Sequence, residues 1–235
     1  MYKENNCQGI IAFGGGSPMD CAKVTGARVV KPNQSAPDMR GVLKILKKLP
    51  PFFAVPTTAG TGSECTIAAV ISNPDTHEKN SIMDPVLRPK YAILDPELTI
   101  GLPPHITSTT GMDALTHAVE AYIGGSNTKE TFEDARIATK LIFENIEKVY
   151  VDGKNLEARE NMSYAEYMAG GRGCRRQIRC GRGVSDPCHP RRHRSVLLQT
   201  GPQTAVRRRS SRVVCPPPAP LQSRTALLWW SECQK

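Results

Sequence analysis

The sequence predicts an α/β domain followed by an all-helical domain, and three observations support this fold class. Short apolar runs alternate with helical patterns over residues 1–100, as expected for a parallel sheet covered by helices. Residues 101–170 show helical spacing with no strand pattern between the helices, and a Gly-Leu-Pro-Pro break near residue 101 marks the boundary. Residues 171–235 are rich in Arg and Pro without sustained periodicity, so we expect a disordered basic tail there.

The elements follow from local patterns in chain order. Apolar runs typical of buried strands occupy residues 9–13, 52–55, 67–72 and 91–94. Ser17 followed by Pro18 is a strong helix-start signal, with Ser as the N-cap and Pro in the first helical position, and predicts a helix from Pro18 to about Val30. A short helix is expected near residues 42–48. Helical spacing predicts three more helices at residues 105–123, 128–150 and 155–169.

Charge and cysteine usage divide the chain at the same place. The formal net charge is +9, but residues 171–235 hold 13 Arg and 1 Lys against only Asp186 and Glu232, so residues 1–170 are mildly acidic. Three scattered cysteines before residue 171 suit a reduced enzyme better than a disulfide framework. The polar start predicts no signal peptide, and no apolar run approaches the ~20 residues of a membrane span. We therefore expect a cytoplasmic protein without membrane partners.

Two glycine-bearing loops each follow a predicted buried strand. Gly14, Gly15 and Gly16 precede the capped helix, an arrangement in which backbone N–H groups and a helix N-terminus can hold phosphate. Residues 56–64 (PTTAGTGSE) present hydroxyls and glycines after the second strand. Each loop alone could be an ordinary turn. Together, at the carboxyl ends of strands where open α/β sheets bind ligands, they favour a nucleotide site.

Asp113 and His117 form the third feature. They are four residues apart on a predicted helix, so both side chains lie on one face, one turn apart. A carboxylate and an imidazole aimed at one point can share a divalent metal ion. The alternative is an Asp–His hydrogen bond that only stabilises the helix, and the spacing alone does not separate the two.

Four segments in this order resemble the signatures of iron-containing (group III) alcohol dehydrogenases. They are GGGSPMDCAK (residues 14–23), PTTAGTGSE (56–64), DPEL (95–98) and GMDALTHAVEAY (111–122). The resemblance covers residues 1 to about 170. It implies the architecture shared with dehydroquinate synthase-like proteins, in which a Rossmann-like nucleotide domain precedes a helical metal domain and the active site lies between them. Of the Rossmann-like domain we expect only a part here, because the family pattern extends further upstream.

The resemblance also implies roles for individual residues. Gly14, Gly15, Gly16 and Ser17 would line the pyrophosphate of NAD or NADP, with Asp20 on the same helix. Thr57, Thr58 and Thr61 would contact the nucleotide, and Lys79 would reach the cofactor ribose. Asp113 and His117 would be two of four ligands to Fe²⁺, with Zn²⁺ possible. The implied reaction is hydride transfer between a primary alcohol or aldehyde and the nicotinamide in a homo-oligomeric enzyme.

The sequence departs from the family pattern after residue 170. There the family continues toward two further histidine ligands, whereas this chain becomes rich in Arg and Pro. His189 and His193 are not assigned as those ligands, because Pro190 breaks a helix between them and the family spacing is wider. We interpret residues 171–235 as an out-of-frame reading of GC-rich codons, which translation of the other two frames tests. With two of four ligands, we expect an inactive fragment.

Two other functions stay open from the sequence. One is a glycerol dehydrogenase-type relative, against which the second loop and the Asp113–His117 segment argue. The other is non-enzymatic nucleic-acid binding through the Arg-rich tail, since Arg207, Arg208, Arg209 and Arg212 could contact phosphates electrostatically. Deletion of the tail separates this alternative from the dehydrogenase.

Overall fold

The computed structural model describes residues 1–74, 76–125 and 128–170, together with two short strands of the tail. The strands are β1 (Ile10–Gly14), β2 (Gly41–Val42), β3 (Phe52–Pro56), β4 (Ala68–Ser72), β5 (Lys79–Met83), β6 (Tyr91–Leu94), β7 (Gln177–Ile178) and β8 (Val196–Gln199). The helices are α1 (Gly16–Val30), α2 (Pro104–Ile123), α3 (Lys129–Val151) and α4 (Leu156–Gly170). The predicted α/β half and the predicted helical half are both present.

A parallel sheet positions the two glycine loops. β1 pairs with β3 from Ile10 opposite Phe52 to Gly14 opposite Pro56, and β3 pairs in parallel with β6. Because β1 and β3 run side by side and end at the same level, the loops that follow them emerge at one edge of the sheet. The strands predicted at residues 9–13, 52–55 and 91–94 are confirmed, each within a residue of its observed bounds.

A second, three-stranded sheet was not expected. The predicted strand at residues 67–72 exists as β4, but it pairs antiparallel with β5 rather than joining the parallel sheet, and β2 pairs with the other edge of β5. β5 has the sequence KNSIM, whose first three residues are poor strand formers. Only Asn80 and Ile82 of this strand are buried, so its signal in the sequence is short and weak.

The short helix predicted near residues 42–48 is wrong. Leu43 and Leu46 adopt left-handed backbone conformations with φ of 55° and 52°, which no α-helix allows. The N–H groups of Ile45 and Leu46 donate to the buried Asp84 carboxylate at 2.9 and 3.0 Å instead of to helical carbonyls. A long-range hydrogen-bond acceptor, 38 residues away, thus overrides the local helical preference.

The helical half packs through small side chains. Ala114 and Ala118 of α2, Ala138 and Ile142 of α3, and Ala165 of α4 are all fully buried in one core cluster. Small residues let the helix backbones approach closely. Thr128 caps α3 through a reciprocal pair of hydrogen bonds with Thr131. Among the described residues, no helix has both the length and the apolarity that a membrane crossing requires.

The prediction of a disordered tail at residues 171–235 can be compared with the structure at only a few residues. Within it the structure describes two short strands, β7 and β8, which were not expected: β8 pairs antiparallel with β6, and β7 pairs with β8. The expectation of disorder for the other residues of 171–235, the arginine-based nucleic-acid alternative, and the decision about His189 and His193 all lie outside the described residues.

Candidate functional site

The first glycine loop joins β1 to α1 by a tight turn. Gly14 has a φ of 145°, a conformation that strains any residue with a side chain. Gly15 caps α1 without a side-chain hydrogen bond, and the helix begins at Gly16. The prediction that Ser17 is the N-cap is therefore wrong by two residues. Ser17 is instead an exposed residue in the first turn, where backbone N–H groups have no partner within the helix and can face an anion.

The second glycine loop lies directly against the first. The Thr57 N–H donates to the Gly14 carbonyl at 3.0 Å. A Cβ atom on Gly15 would lie 3.3 Å from the Thr58 side chain, and one on Gly16 would lie 2.9 Å from that of Thr61. The absence of side chains at Gly15 and Gly16 is thus what allows the threonines to approach. The structure brings together six of the nine residues predicted to bind the cofactor: Gly14, Gly15, Gly16, Thr57, Thr58 and Thr61.

Thr58 carries an unused polar atom in this crevice. Its Oγ1 is buried and has no hydrogen-bond partner among the described residues. A buried hydroxyl without a partner costs roughly 1–3 kcal/mol, so such groups usually mark a place where a ligand or an ordered water binds. The glycine-lined cradle, the start of α1 and this hydroxyl fit the pyrophosphate and hydroxyl groups of a dinucleotide.

Asp20 has a different position from the one expected. Its carboxylate accepts from the Ser63 hydroxyl at 2.6 Å and from the Val70 N–H at 2.9 Å. The side chain is therefore occupied by protein donors and holds α1 to the second loop and to β4. Because a carboxylate repels a pyrophosphate, this inward orientation is also the chemically reasonable one. We assign Asp20 to the support of the loops rather than to cofactor contact.

Lys79 lies apart from the two loops. It is exposed at the first position of β5, opposite Ser72 at the far end of β4. In the part of the chain that the structure describes, its side chain makes no hydrogen bond to either loop. Its predicted contact with the cofactor ribose stays a prediction.

The Asp113–His117 pair lies on one face of α2, as its spacing predicts. Asp113 Oδ1 and His117 Nε2 are 3.9 Å apart, with the Asp113 side chain 49% and the His117 side chain 31% exposed. This distance exceeds that of a hydrogen bond, which argues against the purely helix-stabilising interpretation. Two ligands at ~2.0–2.2 Å from one ion lie roughly 3.3–3.6 Å apart in a tetrahedral site, so a small rotation of either partly exposed side chain would let the pair share a divalent ion.

The second loop reaches α2 next to this pair. A Cβ atom on Gly60 would lie 2.5 Å from both the Cβ and the carbonyl oxygen of Thr110, three residues before Asp113. A shallow depression of about 440 Å³ lies on this face and is lined by Thr109, Thr110, Met112, Asp113 and Thr116. The second loop thus meets α2 at Thr110, about one turn before Asp113, with Gly60 at the junction, while the depression itself is lined by residues of α2. The described residues contain no group of three or more His, Cys, Asp or Glu that could hold a metal ion.

A buried group of ionisable side chains under the second loop was not predicted. Lys23, Glu64 and Glu166 are each at most 1% exposed. The Lys23 ammonium donates to the carbonyl of Ala68 at 2.7 Å, to the Thr66 hydroxyl at 3.0 Å and to the Thr66 carbonyl at 3.3 Å. Charged residue types within loops and amphipathic helices usually mark exposed faces, so no pattern in the sequence predicts this burial.

Burial dominates the electrostatics of this group. It raises the pKa of Glu64 to about 7, and the positive charge of Lys23 opposes that shift. Burial and then the charge of Glu64 raise the pKa of the Glu166 carboxyl well above its ordinary value. Burial lowers the pKa of the Lys23 ammonium, and the charge of Asp20, 3.7 Å away, opposes this. Lys23 thus opposes the effect of burial on Glu64, whereas burial and the Glu64 charge both favour the neutral form of Glu166.

Comparisons with known proteins identify relatives over the same part of the chain. Residues 1–96 match a family model described as iron-containing alcohol dehydrogenase, and residues 107–173 match the C-terminal model of the Fe-containing alcohol dehydrogenase family. The NAD-dependent methanol dehydrogenase of Bacillus methanolicus is 43% identical over 170 residues, which are 72% of this chain and 44% of that protein. The 1,3-propanediol dehydrogenase of Klebsiella pneumoniae is 42% identical over 170 residues, with the same shares.

Solved structures agree with these sequence matches. A crystal structure of 1,3-propanediol oxidoreductase superposes with a TM-score of 0.69 at 41% identity, over 72% of this chain and 44% of that one. The sulfoacetaldehyde reductase of Bifidobacterium kashiwanohense, solved in complex with NAD⁺, superposes with a TM-score of 0.65 at 37% identity, over 72% and 45%. The chain therefore spans less than half the length of the relatives that it matches.

Proposed function

This chain belongs to the iron-containing alcohol dehydrogenase family, and from that membership we propose that it carries the dinucleotide loops and two metal ligands of an NAD- or NADP-dependent alcohol dehydrogenase. The observation that carries the proposal is the direct contact between the two glycine loops, together with the contact of the second loop with α2 beside Asp113. Names of relatives such as methanol and 1,3-propanediol dehydrogenase support a small primary alcohol or its aldehyde as the substrate. Cytoplasmic location and homo-oligomeric assembly stay predictions.

The residues of the crevice have separate tasks in this proposal. Gly14, Gly15 and Gly16 let the first loop turn tightly and lie against the threonines of the second loop, so that the start of α1 would receive the pyrophosphate and the Thr58 hydroxyl would donate to it. Asp113 and His117 would hold Fe²⁺ or Zn²⁺ at the neighbouring face of α2. When bound, the metal supplies a Lewis acid for the substrate oxygen, and the nicotinamide supplies or accepts the hydride. The protein contributes the orientation of these groups in a shared crevice.

Removal of the Thr58 hydroxyl tests the dinucleotide site. We expect Thr58→Val to weaken the binding of NAD⁺ or NADP⁺ about tenfold, because one hydrogen bond to a ligand is worth roughly 1–1.5 kcal/mol. Stability should hold or rise slightly, because this hydroxyl has no protein partner to lose among the described residues. Isothermal titration of the purified chain with each dinucleotide measures the affinity, and thermal unfolding measures the stability.

Thr25→Val is the matched control, since Thr25 lies on α1 about two turns beyond the glycine loop. It should leave the dinucleotide affinity unchanged. If the wild-type chain binds neither dinucleotide, the proposed function is wrong. If Thr58→Val and Thr25→Val bind equally well, the assignment of Thr58 is wrong.

The count of metal ligands predicts weak metal binding. Two ligands should provide about half of the ~10–16 kcal/mol of a four-ligand zinc site, which corresponds to dissociation constants of roughly 1 to 200 µM. We therefore propose that this chain shows no alcohol-dependent reduction of NAD⁺ or NADP⁺. Zn²⁺ titration of wild type and His117→Ala should show weak binding that the variant loses. Steady NADH or NADPH formation with ethanol or 1,3-propanediol would contradict the expectation of an inactive chain.

A further inference from the structure

Glu166 connects the helical half of the chain to the second glycine loop. It lies on α4, is 1% exposed, and its Oε1 accepts a hydrogen bond from the Gly62 N–H across 104 residues of sequence. The Gly60 N–H also points to this carboxyl. A single side chain of α4 therefore holds the Gly62 amide, and faces that of Gly60, in the loop that presents Thr57, Thr58 and Thr61.

The packing around these bonds restricts the loop to one place. A Cβ atom on Gly62 would lie 3.2 Å from the Gly170 Cα, and Gly62 has a φ of 61°, so the loop backbone runs directly against the last turn of α4. The Cys65 thiol donates to the Gly62 carbonyl at 3.1 Å and also lies near the last turn of α4, 3.8 Å from the Tyr167 carbonyl. The loop thus rests on α4 on one side and on α2, through Gly60, on the other.

The charges that face Glu166 favour its neutral form. Glu64 and Cys65 approach from the second loop, and Asp113 acts on it from α2. Lys23 of α1 acts mainly on Asp20 and Glu64. Burial and the neighbouring Glu64 charge raise the pKa of Glu166, while the Gly60 and Gly62 amides oppose this. A neutral carboxyl keeps an acceptor oxygen for these amides, and glutamine has the same shape and the same acceptor.

We propose that Glu166 is a positioning residue for dinucleotide binding: its carboxyl oxygen clamps the Gly62 amide, beside that of Gly60, and so holds Thr57, Thr58 and Thr61 against the first glycine loop. The side chain itself does not touch the dinucleotide. What matters at this position is an acceptor of the right length rather than a negative charge. The effect on affinity rests on the proposed function, whereas the clamp on the loop does not.

Amide hydrogen exchange of the full chain, resolved over residues 57–66 and measured without ligand, tests the clamp directly. We expect Glu166→Ala to speed the exchange of the Gly60 and Gly62 amides at least tenfold. Glu166→Gln should stay within about twofold of wild type, because it keeps the acceptor. Titration with NAD⁺ should show a loss of affinity of about tenfold for Glu166→Ala and little change for Glu166→Gln. Glu157→Ala, an exposed position on the same helix, is the control and should change neither measurement.

A further variant covers the case in which Glu166→Ala does not fold. Glu166→Asp is shorter by one methylene and cannot reach both amides, so exchange should speed up at Gly60 or Gly62 but not elsewhere in α4. Unchanged exchange at both glycines in Glu166→Asp, or equal loss of protection in the Gln and Ala variants, overturns the proposal. If the wild-type chain does not bind NAD⁺, the proposed function is wrong and the affinity measurements no longer test the role of Glu166. The exchange data still decide whether Glu166 holds the loop.

Discussion

Replacement of Lys23 by Met is expected to lower the free energy of unfolding by about 3–5 kcal/mol at neutral pH. The Lys23 side chain is fully buried and donates to two backbone carbonyls and one hydroxyl. Met fills a similar volume, but it leaves those acceptors without a donor and removes the cation that faces Asp20 and Glu64. Because single domains are stable by only about 5–15 kcal/mol, this change should remove a large part of the total. Urea unfolding followed by circular dichroism measures it.

The exposed Lys48 supplies the matched control, and Lys48→Met should change stability by less than about 0.5 kcal/mol. The pH dependence offers a second check. Because the pKa of Glu64 is raised to about 7, the folded protein loses stability as the pH rises from the ordinary carboxyl pKa through 7. Without Lys23 the pKa of Glu64 rises further, so this loss continues to higher pH. The difference between wild type and Lys23→Met should therefore widen as the pH rises through about 7, where Glu64 of the wild type ionises; equal differences below and above that pH would contradict the assigned role of the ammonium.

The sequence predicted those parts of the fold that depend on local patterns. Short apolar runs indicate the buried strands, and the periodic spacing of apolar residues indicates the helices of residues 104–170. The predicted bounds of both therefore agree with the observed bounds to within about two residues. The strand at residues 67–72 was found, but its antiparallel pairing was not, because its partner β5 carries Lys, Asn and Ser where a strand usually carries branched side chains and was not predicted. The segment around residue 45 was assigned incorrectly, because its backbone conformation depends on the distant Asp84 carboxylate.

In the candidate site, too, the features that depend on local patterns could be predicted, and those that depend on distant contacts could not. The spacing of Asp113 and His117 fixes their common face once α2 is known, and the parallel pairing of β1 with β3 brings the two loops to one edge. The inward orientation of Asp20 depends on Ser63 and Val70, which are more than 40 residues away. The burial of Glu64 and Glu166 depends on how α4 covers the second loop. Contacts between distant segments leave no periodic trace in the sequence, so these supporting residues could not be found from it.

The second large effect is expected at Gly60, where the nucleotide loop meets α2. A Cβ atom there would lie 2.5 Å from both the Cβ and the carbonyl oxygen of Thr110, and 2.7 Å from its Cα. Two of these three atoms belong to the backbone of α2, so a side-chain rotation cannot relieve the clash, and the loop or the helix must move. We expect Gly60→Ala to lower the free energy of unfolding by about 3 kcal/mol or more, at the upper end of the usual overpacking range.

Gly101→Ala separates this steric effect from the general effect of replacing glycine. A Cβ atom on Gly101 would have no neighbour within 4 Å, so its replacement should change stability by no more than about 0.5 kcal/mol. Because Gly60 sets the distance between Thr58 and the Asp113–His117 face, any Gly60→Ala protein that folds should also bind NAD⁺ more weakly than Gly101→Ala. If the two variants unfold at urea midpoints within about 0.5 M of each other, the close approach of the loop to α2 is absent in solution. The proposed arrangement of the dinucleotide loops beside the predicted metal ligands would then lose the contact on which it depends.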